Sequence, residues 1–326
     1  QFIIGSSGIG KTHYACEQII RESMENPQHL YYIIVPEQFT MQTQKNVVEM
    51  HPGKGILNID VLSFQRLAYR IFEETGGARE VLLDDTGKSM VLQKLVQQHR
   101  KNLPYLGSQM NKPGYLDEVK SLISEFMQYD IREEELQDML GKTGEDSLLH
   151  MKMQDVGVLY QAFLQYLEGH YMTGEGVMDA LKKAIPFSDK LKKSVLLLDG
   201  FTGFTPVQMN VIRELLNVCD KVLVTVTMDA GENPLQMGKP HQLFYMSRKM
   251  IHTLSGLTSN LDDPILLKDE RKGRFGNSTS LDFLEKHLFR YKRSAYEKKQ
   301  EEICIFAAES PVKELEETAR RIRRLV

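Results

Sequence analysis

The sequence opens with an apolar run, Phe2-Ile3-Ile4, that leads straight into Gly5-Ser6-Ser7-Gly8-Ile9-Gly10-Lys11-Thr12. The octapeptide meets the pattern G-x-x-x-x-G-K-[ST] in full. Behind it Tyr14, Ala15, Ile19 and Ile20 recur at helical spacing, which predicts a helix over 11–25. Strand, glycine-rich turn and helix form the context in which such a match reads as a phosphate-binding loop (P-loop). Glycines let a backbone wrap closely round a phosphate tail, because a side chain would block the approach or demand disfavoured φ angles. The wrapped N–H groups and the helix N-terminus together make an anion site. Lys11 is then placed to reach the β- and γ-phosphates of a nucleoside triphosphate, and the Thr12 hydroxyl to ligate Mg2+. Gly141-Lys142-Thr143 repeats the last three letters but has Leu136 where the first glycine should stand, so it reads as a helix C-terminal loop.

Further apolar runs predict a sheet around this loop. Leu30 to Val35, stopped by Pro36, reads as a buried parallel strand. A polar helix follows over about 38–50, and His51–Gly55 is a loop. A third strand lies within 56–64. The helix after it runs through Leu67, Tyr69, Arg70 and Phe72 and ends at Gly76-Gly77. Ser194 to Leu198 is a buried strand ending in Asp199, residues 206–219 read as helix, and the β-branched run at 222–227 as another core strand. Strands alternating with helices imply an α/β fold, a parallel sheet with helices on both faces. Between 80 and 187 the pattern changes. Leu116, Val119, Leu122, Ile123 and Phe126 form a helical stripe, as do Leu159, Phe163, Tyr166 and Leu167, and no strand signal accompanies them. That segment is expected to be an all-helical insertion. Residues 255–280, rich in Gly, Ser, Asp and Lys, predict a mobile loop. Ile303–Ala307 predicts one more strand, and 312–326 a helix.

Asp199 fits the metal half of a second phosphate-site motif, in which an acid at a neighbouring strand end holds Mg2+ through water. In motors the next residue is usually a Glu that orients the attacking water. Here it is Gly200, followed by Phe201. A positioned general base contributes roughly 10²–10⁴-fold, so hydrolysis is expected to be slow even where ATP binds. The competing reading of Asp199 is a simple cap of the next turn.

Bulk properties narrow the classes. Net charge is −3, so no global basic field attracts nucleic acid, and DNA binding would need a local patch. Cys16, Cys219 and Cys304 stand far apart, which argues against a disulfide framework and against a zinc or iron–sulfur site. No apolar stretch approaches the roughly 20 residues that span a bilayer, and no signal peptide is visible. The expectation is a cytoplasmic protein with no membrane contact. A start at Gln1 and an end inside a charged helix suggest a piece of a longer chain.

Four segments carry a resemblance: GSSGIGKT, VPEQFT at 35–40, VLSFQRLAYRIFEETGG at 61–77 and LLLDGFTGFTPVQ at 196–208. In this order they resemble the N-terminal part of the AddB family, the second subunits of bacterial AddAB helicase–nucleases and functional counterparts of RecBCD. The resemblance implies a P-loop NTPase with a RecA-like parallel sheet of the superfamily 1 helicase type. Residues 1–80 and 188–230 would form the first RecA-like domain, 81–187 its 1B-type helical insertion, 231–300 a variable, partly disordered connection, and 301–326 the start of a second RecA-like domain. It further implies a hydrolase complex with an AddA-type partner in a heterodimer. That complex would act as helicase and exonuclease on single- and double-stranded DNA ends, in double-strand break repair by recombination. A 4Fe–4S cluster and the nuclease centre would lie only in a C-terminal region beyond these residues. Within that frame this chain would bind ATP and engage single-stranded DNA with weak or no motor activity. The alternative is an active DNA-stimulated ATPase motor, with another carboxylate such as Glu37 replacing the missing Glu.

Ser63, Phe64 and Gln65 align with the Thr-Phe-His motif that contacts single-stranded DNA in active relatives. Arg66 and Arg70, four residues apart on one helix, are candidates for phosphate contact or for a solvated basic face. Phe64 could stack on a base, though a core phenylalanine is the favoured reading. Gln38 is a candidate contact to nucleotide or DNA. Arg290-Tyr291-Lys292-Arg293 with Lys298-Lys299 is a tyrosine-interleaved basic run, read first as solvated surface.

Overall fold

Every residue of β1 (Phe2–Gly5) is buried, and the chain turns from it into α1 (Lys11–Glu25), the helix expected from the spacing. The computed structural model describes residues 1–326 except 78, 79, 111, 113, 145, 146, 230, 269–273 and 291–293. It divides into two units, Gln1–Ser6 with Lys11–Leu267, and Ser7–Gly10 with Lys268–Val326.

The first unit continues through β2 (Leu30–Ile34), α2 (Thr40–Met50), β3 (Ile59–Leu62) and α3 (Phe64–Thr75). α3 starts where the Ser63 hydroxyl accepts the Arg66 N–H at 3.3 Å, and stops at Gly76, whose φ of 73° suits only a residue without Cβ. Next come β4 (Val81–Leu82), α4 (Asp85–His99), α5 (Leu106–Gln109), α6 (Tyr115–Gln128), α7 (Glu133–Gly141), α8 (Leu148–Leu167), β5 (Tyr171–Met172) and α9 (Gly174–Ala184). The chain then returns through β6 (Ser194–Leu198), α10 (Pro206–Val218), β7 (Lys221–Thr227), α11 (Tyr245–Ser255) and β8 (Ile265–Leu266). A capping box between Thr205 and Gln208, with Pro206 in the first turn, begins α10.

The strands form a six-stranded sheet in the order β3-β2-β6-β7-β1-β8, with every pairing parallel. Alternation along each strand feeds two cores. Phe2, Ile4, Tyr32, Ile34, Leu196 and Leu198 face α3, α9 and α10. Ile3, Tyr31, Ile33, Val195, Leu197 and Leu223 face α1 and α2. Cover on both faces is why these strands read as unbroken apolar runs. Each fully buried Leu or Ile contributes about 1.5–3 kcal/mol of transfer free energy.

α4 to α8 have a separate core around Leu92, Leu95, Ile123, Phe126, Leu159 and Phe163. The expectation of an all-helical insertion is corrected here, because β4 and β5 pair in parallel, Val81 with Tyr171 and Leu82 with Met172. Two residues are too few to show any alternation. α9 shares the sheet's core through Val177, Met178 and Leu181. Within the stretch expected to be a mobile loop, Ile265 and Leu266 extend the sheet as β8 beside β1; residues 269–273 of that stretch lie outside the described ones.

The second unit contains α12 (Thr279–His287) and α13 (Pro311–Leu325). Gly8 and Gly10 have φ of 77° and 99°, the left-handed region that glycine tolerates. A Cβ on Gly8 would stand 2.8 Å from the Phe275 ring, and the Arg274 N–H donates to the Gly8 carbonyl at 2.8 Å. The strand expected at Ile303–Ala307 does not form. Ile305 is almost fully exposed and no described strand pairs with the run, so apolar content alone does not make it sheet. Of the tyrosine-interleaved basic run, Tyr291, Lys292 and Arg293 fall outside the described residues. Among the described residues, no helix is long and apolar enough to cross a membrane.

Candidate nucleotide-binding site

Parallel pairing brings the C-terminal ends of β1, β6 and β7 together, the edge of an open α/β sheet where ligands bind. At the end of β1 the Lys11 ammonium folds back and donates to the carbonyls of Gly5 at 3.1 Å and Ser6 at 2.8 Å. Thr12, at the start of α1, donates its hydroxyl to the Asp199 carboxylate, 2.9 Å from Oδ2 and 3.1 Å from Oδ1. Asp199 follows β6, and its N–H is tied to the Ile34 carbonyl at 3.0 Å.

Asp199 is only 5% exposed, and among the described residues no salt bridge reaches it. A buried carboxylate costs several kcal/mol unless its oxygens are satisfied. Here the donors are hydroxyls: Thr12, and Thr225, two residues before the end of β7, whose Oγ1 lies 2.7 Å from Oδ1. The negative charge also acts on its surroundings. Burial first, and Asp199 second, push the Cys16 thiol up to about 12.

Gly200 has φ of 78° and donates its N–H to Thr225 Oγ1 at 3.4 Å. The position where motors carry a Glu is thus a left-handed turn, which any side chain would strain. Thr225 escaped the sequence reading, which took 222–227 only as a core strand. The signal was present in the parallel register: Leu198 pairs with Val224, so the next residues, Asp199 and Thr225, meet just past the end of β6.

The residues aligned with the single-strand motif are placed less uniformly. Ser63 is buried as the α3 cap. Phe64 is 5% exposed, with its ring 5.6 Å from Phe201 and 6.3 Å from Phe204, so its packing is that of a core residue. Gln65 lines a cavity of about 360 Å3 together with Glu37, Gln128, Glu175, Phe201 and Gln208. Arg66 and Arg70 are exposed and each holds a carboxylate, Glu37 at 3.2 Å and Asp60 at 2.9 Å. Gln38 is exposed on a short 3-10 turn and does not line that cavity.

One buried ion pair joins α4 to α9. Lys88 Nζ lies 3.0 Å from Glu175 and 3.2 Å from Ser124 Oγ of α6. Burial works against the Glu175 charge, but the Lys88 hydrogen bond and then its own backbone N–H carry its pKa below the ordinary Glu value.

The family described as "ADDB, N-terminal" matches residues 2–285. The chain is 42% identical, over its full length, to a subunit of the ATP-dependent helicase/deoxyribonuclease of Lachnoclostridium phytofermentans, and covers 29% of that relative. It is 31% identical over its full length to the subunit of the same name from Thermoanaerobacter pseudethanolicus, covering 28% of it. For the one from Clostridium acetobutylicum it is 31% identical over 99% of the chain, covering 28%. The chain therefore spans less than a third of the length of these curated relatives.

Proposed function

The chain belongs to the AddB N-terminal family, and from that premise we propose that it is an ATP-holding, helicase-like region of a larger helicase–nuclease that turns ATP over little by itself. The observation that carries this reading is the Thr12–Asp199 hydrogen bond beside a left-handed Gly200. The first half of that arrangement suits a nucleotide with a metal, and the second leaves no side chain to orient an attacking water.

In this reading the sheet is RecA-like and residues Gly5 to Thr12 are the phosphate loop. Lys11, which now donates to two loop carbonyls, would swing onto the phosphates in their place. The donor set fits Mg2+: Asp199 and Thr12 offer hard oxygens, and the carboxylate is buried without a basic partner among the described residues. No group of three or more His, Cys, Asp or Glu among the described residues could hold a metal, so the ion's remaining ligands would be phosphate and water. Mg2+, when bound, would neutralise charge on the β- and γ-phosphates. Asp199 would hold a water on it and Thr12 would contact it directly, both kept in place by the strand ends.

The curated relatives are named as subunits of an ATP-dependent helicase/deoxyribonuclease, which supports ATP use, DNA as substrate, a second subunit as partner, and a role in DNA break repair. Gln65, Arg66 and Arg70, on α3 after β3, are the proposed contacts to single-stranded DNA. The direct test is nucleotide titration of the chain and of its Lys11→Ala variant. ATP binding lost in the variant supports the reading, and equal binding by both removes the loop from it.

A further inference from the structure

We infer that Thr225 is a positioning residue, which fixes the Asp199 carboxylate toward Thr12 and thereby sets how much a divalent ion strengthens nucleotide binding. The inference rests on the ATP–Mg2+ reading above.

A threonine hydroxyl has one proton to give. Thr225 Oγ1 accepts the Gly200 N–H at 3.4 Å, which leaves its proton for Asp199 Oδ1 at 2.7 Å. Thr12 is placed differently. It is exposed at the start of α1 and shares its one proton between both carboxylate oxygens, at 2.9 and 3.1 Å. It is also the hydroxyl that a metal ion at this site would recruit. Once Thr12 turns to an ion, Thr225 is the side-chain donor that still holds Asp199. Thr225 is itself 5% exposed and sits on a strand, so its oxygen has little freedom to move. The carboxylate keeps one orientation because a rigid neighbour on β7 dictates it, and the same hydroxyl ties in the left-handed Gly200 turn.

A purely structural Thr225 would make a different prediction, because its methyl would then matter and its hydroxyl would not. The test uses Thr225→Val, which keeps the shape and removes the hydroxyl, and Thr225→Ser, which does the reverse. Affinity for a non-hydrolysable ATP analogue is measured by calorimetry on the whole chain, with Mg2+ and with a chelator. The wild type should bind more tightly with Mg2+. Loss of one hydrogen bond to a charged group should cut that Mg2+ gain about tenfold in Thr225→Val while leaving the chelator affinity nearly unchanged. Thr225→Ser should keep the gain. If Thr225→Val does not fold, Thr225→Ala takes its place against Ser. A Thr225→Val that keeps the wild-type Mg2+ gain, or a Ser variant that loses it, overturns the inference and leaves the ATP–Mg2+ reading standing. A wild type with no Mg2+ gain sinks that reading and the inference together.

Discussion

The Thr12 hydroxyl lies 2.9 Å from the Asp199 carboxylate, although 187 residues separate the two in the chain. The parallel sheet makes the contact: β1 ends at the loop that leads into Thr12 at the start of α1, and β6 ends just before Asp199. Both belong to the edge where α/β folds bind ligands. The proposed metal-linked phosphate site rests on that pairing more than on either residue alone.

The left-handed backbone at Gly200 gives a first prediction. If the site lacked only an acid, Gly200→Glu would raise ATP turnover. With φ at 78° the substitution should instead destabilise the fold by about 1–3 kcal/mol and leave turnover unchanged. Thermal melting and a phosphate-release assay read the two effects, and a variant that is stable and faster contradicts the account.

The Lys88–Glu175 pair gives a pH dependence. Glu175 titrates below its ordinary value in the folded state, so its charge stabilises the fold above the unfolded-state pKa, about 4.3. That stabilisation is lost as pH falls through the lower folded-state pKa. Glu175→Gln leaves the buried Lys88 ammonium with only Ser124 and a longer contact, 3.7 Å, to the exposed Asp85 carboxylate, and should cost about 3 kcal/mol at neutral pH. The gap between wild type and variant in denaturant melts should then narrow below about pH 4. A gap that is constant from neutral to acid pH would show that the Glu175 charge is not what stabilises the fold.

Thiol labelling probes the two faces of the sheet. Burial pushes Cys16 to about 12 and Cys219 to about 11, whereas Cys304 is exposed. At about pH 8 a thiol reagent should modify Cys304 quickly, the half-buried Cys219 more slowly, and Cys16 only after unfolding. Rapid modification of Cys16 in the folded chain contradicts the packing of α1 on the sheet.

Arg66 and Arg70 are held by exposed carboxylates, and such surface pairs are worth about 0–1 kcal/mol. They can therefore exchange Glu37 and Asp60 for DNA phosphates. If they do, the double variant Arg66→Ala, Arg70→Ala should flatten the salt dependence of single-strand binding by roughly 1.4 in log–log slope. An unchanged slope would remove both residues from the interface.

Much of the sheet was legible because β1, β2, β6 and β7 are covered on both faces and so write long apolar runs. β4, β5 and β8 were not, since two residues carry no periodicity. Ile303–Ala307 misled for the complementary reason: a strand needs a neighbour, and its apolar residues cannot say whether one is there. At the site, the glycine-rich loop and Asp199 announce themselves by spacing and by position after a strand. Thr225 does not, because its partner is set by register 26 residues away. The missing Glu was visible as an absence, but its cause was not. Only the φ at Gly200 shows that a side chain there would strain the backbone.

The central claim is a loop that holds ATP beside a site that hydrolyses it slowly. Its most direct measurement follows ATP binding and turnover together, in the chain and in Lys11→Ala, with Mg2+ present. The account predicts binding that the variant loses, with turnover roughly 10²–10⁴-fold below that of a site with its general base in place. Motor-like turnover abolished by Lys11→Ala would contradict it.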